Sequence, residues 1–145
     1  MRRRRACLLA VGAALATTAR AAPPALTPAD ERAIRGVVES QLAAFAAGDA
    51  ERAFSYASPA IRAQFGSAAR FIEMVRGGYP VLLRPAAVSF LRPEQPADGV
   101  VQGVRLRDAA GVEWLAVYEM ERQPPGGGGW RIGAVRMVRS AGRST

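Results

Sequence analysis

The chain has 145 residues, 20 basic against 12 acidic, no histidine and one cysteine, Cys7, and its formal net charge is +8. That length suggests one domain. The missing histidine excludes a Ser-His-Asp triad and a histidine general base, and one cysteine cannot make an internal disulfide or a Cys/His zinc cluster.

Residues 1–21 carry much of the charge. Arg2, Arg3, Arg4 and Arg5 precede an apolar run, Ala6 to Thr18, and Ala19-Arg20-Ala21 follows. A basic start, a short apolar stretch and a small-x-small site form the pattern of a secretory signal peptide. Thirteen residues are too few to cross ~30 Å of hydrocarbon comfortably at ~1.5 Å per residue. Cys7 lies before the apolar run, the wrong side for a lipid-modified cysteine. Four consecutive arginines suit an ordinary n-region as well as a twin-arginine signal, so the export route stays open. Removing this segment takes five arginines, leaving 15 basic against 12 acidic residues, a net +3, and no cysteine. The remaining arginines are scattered without a basic run, which argues against nucleic-acid binding.

A short linker, 22–26, leads into the domain at 27–140. In "TPADERAIRGVVESQLAAFAAGD", Thr27 is placed to cap, Pro28 to occupy the first helical position, and Asp30 to return the bond. Ile34, Val38, Gln41, Leu42 and Phe45 share one face at helical spacing, and Gly48 ends the helix. Asp49 caps a second helix, Ser58-Pro59 starts a third that ends near Gly66, and Ser67 caps a fourth. The fourth turns Phe71, Met74 and Val75 inward and stops at Gly77. Then "YPVLLRP" hands the chain over to a strand.

From there the period changes to two. Strands are expected over 86–92, 99–108, 111–122 and 130–139. Gln102, Val104 and Leu106 share a face, as do Trp114, Ala116, Tyr118 and Met120, and the last strand puts Trp130, Ile132 and Ala134 together. "DAAG" (108–111) can close a tight hairpin, and "PPGGGG" (124–129) is an exposed loop. Short links pair successive strands antiparallel. The fold class is α+β, with N-terminal helices packed on a curved antiparallel sheet of about four strands. A long helix on a bent sheet makes a cone with a pocket at its mouth.

"QLAAFAAGDAERAFSYASPAIRAQFGSAARFIEMVRGGYPVLLRP" (41–85) and "YEMERQPPGGGGWRIGAVRM" (118–137) resemble a bacterial family known as domain of unknown function 4864. The Ala-Ser-Pro, Met-Val and Gly-Tyr-Pro blocks and the Trp-Arg-Ile strand carry the resemblance, which covers nearly all of the chain after the signal peptide. It implies a nuclear-transport-factor-two-like cone. It supplies no activity, cofactor or catalytic residue, and the cone hosts isomerases, dehydratases, ligand binders and protein-binding modules alike.

Five residues are candidates for a ligand site. Gln41 lies on the apolar stripe of the first helix, facing either a ligand or a backbone carbonyl. Tyr79 either offers its hydroxyl to a pocket or plugs the core. Arg84 either holds an anion, snorkels outward, or braces Glu73. Trp114 and Tyr118 flank the small Ala116, a pattern that suits a ligand or plain packing. No catalytic residue, metal ligand or cofactor is assigned. The reading is an exported domain that binds a small molecule or an envelope protein, with a possible homodimer and no membrane span after cleavage. The alternatives are a lyase or isomerase working through Tyr79, Arg84 and a carboxylate, or an envelope interaction module with a filled cone. The protein recovered from the exported fraction is expected to begin at Ala22. A mass that retains residues 1–21 would overturn the signal-peptide reading.

Overall fold

The first helix is tied to the sheet at its first turn. Thr27 Oγ1 accepts from the Asp30 amide at 3.1 Å, and the Asp30 carboxylate accepts from the Thr27 amide at 3.0 Å. This is a reciprocal capping box. Asp30 also takes an ion pair from Arg122 at 3.0 Å, and the Arg122 guanidinium lies 4.5 Å from the centre of the Trp130 ring. One carboxylate thus joins the helix start to the sheet. The Thr27 amide, and then the Arg122 guanidinium, push the Asp30 pKa down to about 2.

The structure, a computed structural model, describes residues 24–97 and 99–140. The expected signal peptide at 1–21, the start of the expected linker and the expected tail at 141–145 lie outside the described residues. Helix α1 spans Pro28–Ala46 and buries Ile34, Val38, Gln41, Leu42 and Phe45, the stripe expected from helical spacing. Asp49, Ser58 and Ser67 cap α2 (Ala50–Ser55), α3 (Pro59–Phe65) and α4 (Ala68–Gly78), each side chain accepting from the amide three residues on. Gly66 ends α3 at φ +75°, a conformation that a residue without Cβ adopts freely. Helix α4 runs one residue past Gly77, and Pro80–Leu82 then makes a single 3₁₀ turn that the sequence pattern did not announce. The helical layer converges on Phe71, whose ring lies 6.1 Å from Phe45, 5.3 Å from Phe54 and 5.9 Å from Phe65, centre to centre. These are ordinary aromatic packing distances. No helix among the described residues is long and apolar enough to cross a membrane.

Four strands, β1 (Ala87–Phe90), β2 (Val100–Arg107), β3 (Glu113–Arg122) and β4 (Trp130–Arg139), pair in chain order, all antiparallel. The sheet does not close, so β1 and β4 are its edges. The helices cover one face, giving the expected α+β layers. On that face Gln102, Val104, Leu106, Ala116, Tyr118 and Met120 are all buried. At the β2–β3 turn, Asp108 Oδ1 accepts from the amides of Ala110 and Val112, both at 2.9 Å, and Gly111 takes φ +79°. This is the aspartate-led turn chemistry expected for 108–111.

Strand β4 departs from simple alternation. Met120 faces Ile132, but Glu119 faces Ala134, which leaves Gly133 as an extra residue. The extra residue is a β-bulge. Trp130 and Ile132 point to the core as expected. Ala134 does not join them, because beyond the bulge it shares the outer face with Glu119, while Val135 and Met137 pack toward the core. Beside the bulge, the α2–α3 junction is sewn to the β4 edge. Ser58 donates its amide to the Ile132 carbonyl at 2.8 Å, and Ile132 donates to the Tyr56 carbonyl at 2.9 Å.

Replacing Asp30 with Asn should destabilise the protein at neutral pH. An acid whose pKa is lowered by folding stabilises the fold above its unfolded value, ~3.9, and that contribution fades as pH falls through the folded value. The stability gap between the two proteins should therefore narrow from about pH 4 to pH 2 in acid unfolding curves. A gap independent of pH would contradict the double role of this carboxylate.

Candidate functional site

Tyr79, at the end of α4, stands between two hollows. The first is a groove of 250 Å³ between α3, α4 and β4, lined by Gln41, Ile61, Phe65, Phe71, Tyr79 and Val135 among others. Every lining side chain is apolar or uncharged. The second is a cleft of 330 Å³ bounded by Tyr79, Val81, Arg84, Asp108, Trp114 and Met137. A shallow depression over Met74, Tyr79, Trp114 and Met137 connects them along the helix–sheet seam. The bulge at Gly133 is what turns Val135 and Met137 toward this seam.

The structure brings Tyr79, Arg84 and Trp114 together in the cleft and Gln41 and Tyr79 together in the groove. Gln41 is buried, and its Nε2 donates to the Ala53 carbonyl at 3.2 Å. Its Oε1 accepts no hydrogen bond from a described residue. Arg84 is exposed and forms no ion pair with a described carboxylate. The brace to Glu73 does not form, because Glu73 pairs with Arg76, three residues along the same helix. Trp114 is half-buried, and its indole Nε1 donates to Asp108 Oδ2 at 3.1 Å.

Tyr118 stands apart. It is completely enclosed and lines neither hollow. Its hydroxyl has no hydrogen-bond partner among the described residues, and burial pushes the phenol well above its ordinary pKa. Directly opposite it on β2 sits Gln102, also fully buried. The Gln102 Nε2 donates to the carbonyls of Leu91 at 2.7 Å and Gly103 at 2.9 Å, while its Oε1 is unpartnered.

Two further polar residues sit beside these candidates, Asp108 in the cleft and Gln102 opposite Tyr118. Asp108 was read only as a turn residue, yet its carboxylate reaches the cleft. The Trp114 indole first, and the Val112 amide next, hold its carboxyl below the usual range. Gln102 carried a usable signal, an amide in the inward set of β2. Among the described residues no cluster of three or more potential metal ligands occurs. A larger hollow of 720 Å³ over β1, β2 and β3 includes only Trp114 of the five candidates, and its Arg107–Glu113 pair is closed on itself at 3.1 Å.

A family described as a domain of unknown function (DUF4864) matches residues 27–145. The chain belongs to this family. The match begins at Thr27, the cap of α1, and spans every described helix and strand. No curated protein and no solved structure matches the chain.

A buried hydroxyl without a partner costs free energy that phenylalanine would not. Tyr118→Phe should leave stability unchanged or raise it by up to ~1 kcal/mol in urea unfolding. A raised tyrosine pKa keeps its contribution intact below the unfolded value, ~10, and loses it as pH rises above that. The native protein should therefore weaken above about pH 10 relative to the variant. A loss of more than ~1 kcal/mol at neutral pH would reveal a partner for the hydroxyl.

Proposed function

We propose that this protein is an exported domain that binds a small, largely apolar molecule in the groove between α3, α4 and β4. The single observation that carries the reading is the groove itself. Its 250 Å³ are lined by apolar side chains with one buried amide, Gln41, whose oxygen is uncommitted among the described residues. An apolar hollow with few, placed polar groups is the usual form of a small-molecule site. We read the helices over an open, bulged sheet as a cone of the nuclear-transport-factor-two-like kind, with this groove at its mouth. The basic and apolar pattern of residues 1–21 supports export.

Recognition suits the groove better than acid–base chemistry. None of its lining residues is a carboxylate. The neighbouring Asp108 is held ionised by three hydrogen-bond donors, which weakens it as a base near neutral pH.

Helix α3 buries no residue fully, so a larger side chain at Ile61 can enter the groove without disrupting a packed core. The uncharged fluorescent probe N-phenyl-1-naphthylamine should bind the protein at one site. Ile61→Trp should weaken that binding about tenfold, the equivalent of ~1.4 kcal/mol, while far-ultraviolet circular dichroism stays unchanged. Equal binding by the folded variant would remove the groove as the site.

A further inference from the structure

Resting on that reading, we infer that the ligand is an amphipathic carboxylate, its apolar tail in the groove and its carboxylate on Arg84. Three observations converge on this class. The groove and the cleft share Tyr79 as a wall, and the depression over Met74, Trp114 and Met137 connects them, so one molecule can occupy both. The groove end is apolar apart from Gln41 and Gln64. The cleft end carries a guanidinium with no ion-pair partner among the described residues.

The cleft also holds Asp108, which would oppose an anion were its charge uncompensated. It is compensated. Both carboxylate oxygens are engaged, Oδ1 by two backbone amides and Oδ2 by the Trp114 indole. Arg139, opposite Trp114 on β4, adds positive charge beside it. Glu73 and Arg136 also line the depression, but each is ion-paired, with Arg76 and Glu119 respectively, so Arg84 with Arg139 against Asp108 leaves the cleft end favouring an anion. A guanidinium presents paired donors that match the two oxygens of a carboxylate. Trp114, pinned through its Nε1, leaves its ring as an apolar surface on the path between the two ends.

The test displaces N-phenyl-1-naphthylamine from the purified protein with octanoate, decanoate, decanol and decyltrimethylammonium. Decanoate should bind about tenfold tighter than octanoate, as two more methylenes enter an apolar site. It should bind at least about threefold tighter than decanol at low ionic strength, the effect of an exposed ion pair. That preference should shrink with added salt and vanish in Arg84→Gln, while Arg84→Lys keeps part of it. Should Arg84→Gln fail to fold, the salt dependence in the unaltered protein and the Arg84→Lys response decide alone. Decanol binding as tightly as decanoate would overturn the carboxylate and leave the groove reading intact. Tightest binding by decyltrimethylammonium would also overturn it, and would assign the cleft to Asp108. Displacement by none of the four would sink the groove reading and this inference together.

Discussion

Much of this structure turns on one extra residue in an edge strand. Without the bulge, with Gly133 paired like its neighbours, strand β4 would continue the alternation that starts with Trp130 and Ile132. Ala134 would then face the helices, and Val135 and Met137 would face outward. The bulge reverses that assignment halfway along the strand. The first half of β4 completes the core beneath α1 and α2, and the second half lines the seam beneath α4. A bulge also increases local twist and bends its strand. The hydrogen bonds from Ser58 and to Tyr56 close on Ile132, the residue just before it. The α2–α3 junction is therefore anchored where the sheet changes direction. Both hollows beside Tyr79 follow from this arrangement.

Local chemistry made the helices legible. Thr27, Asp49, Ser58 and Ser67 each precede a helix that they cap, and Pro28 and Pro59 stand where a missing amide costs nothing. These signals depend on neighbours three or four residues away, so a linear reading contains them. Strand faces were legible for β2 and β3 for the same reason, since alternation is local. The β4 assignment failed at Ala134 because a bulge is decided by cross-strand register. Gly133 was the only hint, glycine within a strand being a common mark of a bulge.

The site was legible in its residue types but not in its grouping. Tyr79 and Arg84 come from one short stretch after α4 and Trp114 from strand β3, and the three meet only in three dimensions. Their shared neighbour Asp108 reads as a hairpin residue because its backbone role is local, while its bond to Trp114 crosses the turn. Tyr118 was placed on the correct face of its strand, but depth beneath the helices is a tertiary property. It ended in the core opposite Gln102, each with a polar atom unpartnered among the described residues. Such a pair adds less to stability than an apolar pair of the same shape.

The glycine-rich stretch between β3 and β4 has a consequence for how the chain can vary. It lies at the Arg122–Trp130 end of the hairpin, while the cleft lies at the Trp114–Arg139 end, roughly 26 Å away along the strands. Residues 124–129 are exposed throughout. Closing a longer flexible loop costs only ~0.6 kcal/mol for each doubling of its length. Length changes there can accumulate without reaching the cleft. The same tip is therefore a natural point for attaching a reporter group or a tether, with the cleft at the opposite end of the hairpin left untouched.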